Sequence, residues 1–144
     1  MTKYKFIALL LGLLTSCSLM AQSINFKLLQ YGQNCNHKVA ENYIIRNEDD
    51  LKDLEIGQID SVNFHDEILI AVFRGGCPSG GYGIYIKEIR KDKKGLNVEV
   101  IYTDPGDNCR ISMALTQPFA IYSIKKTELP ISFNTSKIIK DCIK

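Results

Sequence analysis

Several features that would assign this chain to a familiar functional class are missing from its sequence. It has no Cys-x-x-Cys pair, which a dithiol redox catalyst needs, and it lacks both the Gly-x-Gly-x-x-Gly and the Gly-Lys-Ser/Thr patterns of nucleotide-binding loops. No apolar run approaches the ~20 residues of a transmembrane helix. These absences argue against redox chemistry, nucleotide binding and a spanning helix, and we expect no cofactor.

An excess of charge is also missing. The chain has 18 basic and 16 acidic residues, and Lys3 and Lys5 at the N-terminus account for the difference. Without a basic surface the chain is not suited to bind nucleic acid. The basic cluster at residues 90–94 is interpreted as the solvated tip of a hairpin.

The N-terminus has the organisation of a secretory signal. Lys3 and Lys5 precede an apolar stretch of about nine residues, 6–14, which small and polar residues follow. This stretch is too short to cross a ~30 Å hydrocarbon core. We therefore expect an exported protein.

The end of this signal resembles a bacterial lipobox, Leu14-Thr15-Ser16-Cys17. It predicts a signal peptide over residues 1–17, lipidation of Cys17 and a single domain over residues 18–144. Such a protein would be held at the cell envelope, on the outer membrane or facing the periplasm, by its acyl chains. Two alternatives stay open: cleavage after Ala21, giving a soluble secreted or periplasmic protein, and a retained anchor.

Export determines how the remaining cysteines are interpreted. Cys35, Cys77, Cys109 and Cys142 are an even number, which in an exported domain indicates disulfide bonds. Cys77 and Cys109 lie in Gly/Pro-rich loops after strand-like runs, whereas the other two lie nearer the ends. We favour Cys77–Cys109 with Cys35–Cys142. The other two pairings, and free buried thiols, remain open.

One short helix is expected near residue 50. Asn47 is a typical N-cap, and the acidic residues 48–50 complement the helix dipole in the first turn. Leu51 and Leu54 give this helix an apolar side, and Gly57 is expected to end it.

Apolar and polar residues otherwise alternate in the manner of strands. The run at 68–74 is nearly continuously apolar, broken only by Arg74 at its end, which predicts a central strand buried on both faces. In the next strand, alternation predicts Ile84 and Ile86 on one face and Ile89 on the other. Strand candidates are residues 24–31, 43–46, 68–74, 82–89, 96–102, 110–116 and 119–125, with an edge strand at 131–133.

These elements predict a mainly β fold of about seven strands and one short helix. Short connections, including a hairpin at residues 90–95 and an Asp-Pro-Gly-Asp turn at residues 104–107, favour an antiparallel sheet. We expect the sheet to curl into a sandwich or partial barrel with the helix packed on it.

The segment between the buried strand and the next one is unusually rich in glycine and is termed the glycine loop, residues 75–82. Glycines allow tight turns and close approach of another chain, and Tyr82 offers a ring of a type enriched at protein interfaces. The alternative is a bulged hairpin with Tyr82 in the core. The predicted partner-binding residues are Gly75, Gly76, Pro78, Ser79, Gly80, Gly81 and Tyr82, with Asp107 and Arg110 of the neighbouring loop.

A series of short motifs carries a family resemblance. They are Val62-Asn63-Phe64 before strand 68–73, Ser79-Gly80-Gly81-Tyr82 before strand 84–89, strand 96–100, Pro105-Gly106 with Cys109, and Thr116-Gln117-Pro118-Phe119. In this order they resemble the PrcB C-terminal domain family, lipoproteins that are accessory subunits of bacterial surface protease complexes. Cys77-Pro78 departs from the charged or polar residue that the family often has there.

Enzymatic interpretations are weaker than this one. Cys35-x-His37 offers only two metal ligands, and His65-Asp66-Glu67 is interpreted as a surface turn. We therefore expect no catalytic residues and no metal site, and interpret the chain as a protein-binding accessory subunit. The alternatives are a protease inhibitor that inserts the glycine loop into a cleft and, less favoured, a small metal-dependent hydrolase.

Overall fold

A computed structural model describes residues 21–60 and 62–142. The predicted signal peptide and the predicted lipidation of Cys17 lie outside these residues. Within them, eight strands form two four-stranded sheets with one short helix, a sandwich-like arrangement that confirms the predicted fold class. The part of the chain described here contains no helix with the length and apolarity required to span a bilayer.

The strands are numbered in chain order. Sheet A has the order β1-β5-β6-β8 and sheet B the order β2-β7-β4-β3. The elements are β1 (Gln22–Ser23), β2 (Phe26–Gly32), β3 (Glu41–Ile45), α1 (Glu48–Asp53), β4 (Glu67–Phe73), β5 (Gly83–Lys91), β6 (Leu96–Pro105), β7 (Phe119–Lys125) and β8 (Ile131–Lys140).

Sheet B is buried on both faces because its central strand β4 is apolar at every position after Glu67. Alternate residues of β4 point to opposite faces. Ile68, Ile70 and Val72 pack between the two sheets, whereas Leu69 and Phe73 pack on the far side, under α1 and the loops that follow it. The prediction of a central, two-sided strand is confirmed, with β7 on one side and β3 on the other.

Sheet A is buried on one face only, and an irregularity in β5 keeps the apolar residues of that strand on the buried face. The register of β5 against β6 shifts between Ile86 and Glu88, which marks a β-bulge. The bulge returns Ile89 to the same buried face as Ile84 and Ile86, so the prediction that Ile89 points the other way is wrong. At the bulge the Ile86 N–H donates to the Tyr122 hydroxyl of sheet B at 3.1 Å, and burial raises the pKa of that phenol.

The last strand differs most from expectation. A short edge strand was expected over residues 131–133, but β8 runs for 10 residues and pairs parallel to β6 without a break in register. Its position at the edge of sheet A is confirmed. Parallel pairing brings the C-terminal ends of β6 and β8 to the same end of the sheet.

The helix begins as predicted. The Asn47 Oδ1 accepts from the Asp50 N–H at 2.8 Å, and three acidic residues occupy the first turn. The helix ends at Asp53 with Leu54 as C-cap, earlier than the predicted end at Gly57. Glu55 and Gly57 both have positive φ, so the chain leaves the helix through a left-handed turn.

Candidate protein-binding surface

The glycine loop does not project freely, because residues 111–116 lie along it. The Cys77 N–H donates to the Thr116 carbonyl at 2.8 Å and the Thr116 N–H donates back at 3.0 Å. Gly80 N–H donates to the Ser112 carbonyl at 2.9 Å, and the Thr116 hydroxyl donates to the Ser79 carbonyl at 2.7 Å. The loop and this segment therefore form one joined surface.

Two of the glycines are required by this close packing. Gly75 has φ +83°, and a Cβ there would lie 2.8 Å from the Ala40 backbone nitrogen. Gly81 has φ +86°, and a Cβ there would lie 2.9 Å from both Ile111 and Pro105. At these positions the glycines are explained by backbone conformation and by contacts within the chain.

Arg74 fixes the exit of the loop, a role that sequence inspection missed. Its guanidinium is nearly buried, with 7% of the side chain exposed, and it donates to the Gly83 carbonyl at 3.0 Å and the Thr103 carbonyl at 2.7 Å. It also binds the Asp104 carboxylate. Because Arg74 follows β4 of sheet B and its partners belong to sheet A, it joins the two sheets at this end. A charged residue directly after an apolar run is the signal that could have indicated it.

Asp104 is the counter-charge in this arrangement. Partial burial acts to raise its pKa, but the hydrogen bonds and charges of Arg74 and Lys137 together outweigh burial, and the pKa lies below the ordinary value of 3.8. Lys137 of β8 adds to the lowering, with its Nζ 3.5 Å from the Asp104 Oδ2. Asp104 is therefore ionised at neutral pH and connects β4, β6 and β8.

The predicted contact residues differ in exposure. Gly75 and Ser79 are buried and Gly80 is half-buried, whereas the others apart from Tyr82 are exposed, namely Gly76, Pro78, Gly81, Asp107 and Arg110. Tyr82 is half-buried beneath the Arg74 guanidinium, 4.8 Å from its ring centroid, and Tyr102 lies on the same cation at 5.0 Å. The Tyr82 ring therefore packs against Arg74, and it is neither fully exposed to solvent nor part of the core.

The segment paired with the loop carries the two most exposed large apolar side chains of the described residues. Met113 is 89% exposed and Leu115 is 79% exposed, and Ile111 beside them is also exposed. These three residues are termed the apolar tip. The prediction of a strand over residues 110–116 is wrong: among the described residues its only bridge is Thr116 with Cys77. The hydrogen bonds at Ser112 and Thr116 anchor the chain on both sides of Met113 and Leu115 and leave these two side chains exposed.

The disulfide prediction is also wrong. The structure joins Cys109 to Cys142, whereas Cys35 and Cys77 are free thiols. Because β6 and β8 run parallel in register, the residues that follow them meet at one end of sheet A. The partner predicted for Cys109, Cys77, is instead buried in the bridge to Thr116. Burial raises the pKa of both free thiols.

Cys35 and His37, the candidate metal pair, each make contacts elsewhere in the fold. The His37 ring stacks on Phe73 with centroids 3.9 Å apart, and its Nε2 lies 3.0 Å from the Leu54 carbonyl oxygen. The Cys35 thiol donates to the Gln117 carbonyl. Across residues 21–60 and 62–142 no three His, Cys, Asp or Glu side chains gather in a way that could hold a metal ion.

Fold and surface together define a two-sheet β protein that displays an apolar tip beside a braced glycine loop. The model of the family described as PrcB C-terminal matches residues 68–125. This match confirms the resemblance over that segment, which runs from β4 to the end of β7. No curated protein and no solved structure matches the chain.

Proposed function

We propose that this protein is an exported, lipid-anchored accessory subunit of a surface protease complex and that it binds its partner through the apolar tip. The single observation that carries the binding role is the exposure of Met113 and Leu115 on a segment held at both ends. The match of residues 68–125 to the PrcB C-terminal family supports the accessory role. The lipobox motif ending at Cys17 supports the anchor.

The exposed tip indicates a binding site because apolar surface in contact with water is unfavourable in free energy. Single exposed apolar residues are ordinary, but a group of them on one protruding segment is characteristic of an interaction site. Methionine adapts its shape readily and is common at binding surfaces. Because Ser112 and Thr116, on either side of Met113 and Leu115, are hydrogen-bonded to the glycine loop, little conformational entropy remains to be lost on binding.

An inhibitor is the second candidate, and one observation favours it. A protruding segment fixed at both ends is a suitable shape for insertion into a protease cleft. The inserting element would be residues 111–115, since Gly75, Cys77 and Ser79 of the glycine loop are buried. The inhibitor proposal therefore moves from the glycine loop to the apolar tip.

The test of binding is affinity capture of the tagged protein from membranes of its own cells, followed by mass spectrometry. Met113→Ser/Leu115→Ser should reduce recovery of the partner by about tenfold or more, since hot-spot side chains contribute about 2 kcal/mol or more each. The matched control is Leu28→Ser, an exposed leucine on β2. Equal recovery with the tip variant and the control, both folded, would rule out the tip as the binding site.

A second measurement separates the accessory role from inhibition. For an accessory subunit, deletion of the gene should shorten the lifetime of one captured protease, and restoring the wild-type protein should recover it. For an inhibitor, stoichiometric purified protein should slow that protease, and the tip variant should not. Capture of non-proteolytic partners alone would contradict both.

A further inference from the structure

The free edge of β8 is the second unusual surface of this molecule. β8 lies at the end of sheet A, and among the described residues nothing pairs with its other side. The N-terminal part of the described chain cannot cover it from nearby, because β1 lies at the opposite edge of the same sheet. An unpaired strand presents a row of backbone N–H and C=O groups that can pair with another chain.

The other sheet edges carry features that discourage such pairing, and β8 does not. Strand β1 has 2 residues and β3 has 5, and the register of β2 is broken between Leu28 and Gln30. Strand β8 has 10 residues, no proline and an unbroken register with β6. Lysine on an edge usually opposes pairing, but Lys137 is directed toward Asp104, 3.5 Å away, and Lys140 is the last residue of the strand.

The side chains of β8 show which chain would fit. Ile131 and Phe133, at the start of the strand, are half-buried against the core between the sheets. Ile139, on the same face near the end, is 72% exposed. An antiparallel partner with the same sequence would place its exposed Ile139 opposite the half-buried Ile131. The exposed end of each strand would then pack against the half-buried beginning of the other.

We propose that β8 pairs antiparallel with β8 of a second copy of this chain, with the two-fold axis at Thr135, joining two copies of sheet A into one continuous sheet. Residues facing each other across this axis lie on the same face, as an antiparallel ladder requires. Ile131 then faces Ile139, and Phe133 faces Lys137. Charge also fits, because Lys137 faces Phe133 and Lys140 faces Pro130, just before the strand, so neither lysine of β8 meets another charge directly.

This contact is separate from the proposed partner site. The pairing is a two-fold, isologous interface in which the same strand is used twice. It uses backbone groups along the edge of sheet A, whereas the apolar tip lies on the connection between β6 and β7. The dimer therefore goes beyond the accessory role and can be tested independently of it.

The first experiment measures association by sedimentation velocity over a range of concentrations. The protein is the full chain with Cys17→Ser, exported so that the Cys109–Cys142 bond forms and no acyl chain is attached. A reversible monomer–dimer equilibrium is expected. A monomer at every concentration would overturn the proposal and leave the β8 edge to a different partner.

Two lysine substitutions test the position of the axis. Thr135→Lys places two ammonium groups opposite each other in the dimer and should raise the dissociation constant by about tenfold or more. Asn134→Lys adds the same charge one position away, where it faces Ser136, and should change the constant much less. Both side chains are exposed, so the melting temperature of each monomer should stay close to that of the wild type. Equal effects of the two substitutions would refute the axis at Thr135.

A cysteine scan supplies a direct readout. Single cysteines are placed in turn at positions 133 to 137, and each variant is oxidised gently beside the wild type, which carries the same Cys35 and Cys77 thiols. The yield of disulfide-linked dimer should peak at position 135, because only a residue on the axis meets its own copy. A flat profile would indicate random collision and would contradict the proposal.

Discussion

The two sheets of this protein are stabilised by different means. Sheet B is apolar on both faces: Leu69, Phe73 and Ile121 fill its far side beneath α1, and Ile70 and Tyr122 fill the space between the sheets. Sheet A is buried on one face only, and its other face carries charged and polar pairs such as Lys87 with Glu99. A hydrogen bond from Lys87 lowers the Glu99 pKa, as expected of a solvated carboxylate beside a cation.

Sheet A is instead fixed by individual cross-links at one end. The Arg74–Asp104 pair, the Lys137–Asp104 contact and the Cys109–Cys142 bond all lie where β6 and β8 end. This is also the end that carries the glycine loop and the connection to the apolar tip. The comparison indicates that hydrophobic burial stabilises the interior strands, whereas specific bonds hold the binding end in shape.

The largest expected effect tests burial on the second face of sheet B. Leu69→Ala should lower the free energy of unfolding by about 2–5 kcal/mol, because it leaves a cavity in a fully buried site. The matched change on the second face of sheet A, Asn134→Ala, should alter it by about 0.5 kcal/mol or less, since that side chain is exposed. Chemical denaturation of both variants measures the difference. Similar losses would remove the distinction between the two sheets.

The next effect concerns the disulfide. Cys109→Ser/Cys142→Ser opens a loop spanning 33 residues and should cost about 2–4 kcal/mol. Amide hydrogen exchange should become faster in β8 while β4 and β7 remain protected, because the bond secures only the edge of sheet A. Cys35→Ser, which removes a free thiol, is the control. Unchanged exchange in β8 would mean that pairing with β6 is sufficient to hold it.

The smallest expected effect on stability comes from the Arg74–Asp104 pair that links the two sheets. Asp104→Asn should cost about 1–3 kcal/mol at neutral pH, because a nearly buried Arg74 loses its charged acceptor. The pKa of Asp104 is lowered in the folded protein, so its contribution is complete above the ordinary value of 3.8 and is lost as the pH falls through the folded value. The stability difference between wild type and variant should therefore shrink below about pH 4. A difference that stays constant down to low pH would assign the effect to altered packing.

Local sequence predicted the interior of this fold well. The nearly continuous apolar run predicted as a strand at 68–74 becomes the doubly buried β4, Glu67–Phe73, and the strand predicted at 119–125 is β7 with the same bounds. Asn47 caps the helix as expected, because an N-cap depends on residues within one turn of each other. The motifs around the glycine loop also identified the family that residues 68–125 match.

The candidate site was predicted in part. The glycine loop was expected at the surface beside the loop at residues 104–110, and the two do meet, at Gly81 and Pro105. They meet without the predicted Cys77–Cys109 bond. Met113 and Leu115 were missed as exposed residues because their alternation with Ser112 and Thr116 is typical of a strand, and alternation does not show whether a neighbouring strand is present to pair with.

The sequence by itself determined the interior strands β4 and β7, where the helix begins and which strand lies at the centre, since these depend on side-chain periodicity and on contacts within a few residues. Only the tertiary structure decided the parallel pairing of β8 with β6, the bulge that turns Ile89 inward and the Cys109–Cys142 bond. Each of these depends on the register between distant segments. Register is set by the packing of whole sheets, and a one-residue change in it reverses the face to which every following side chain points.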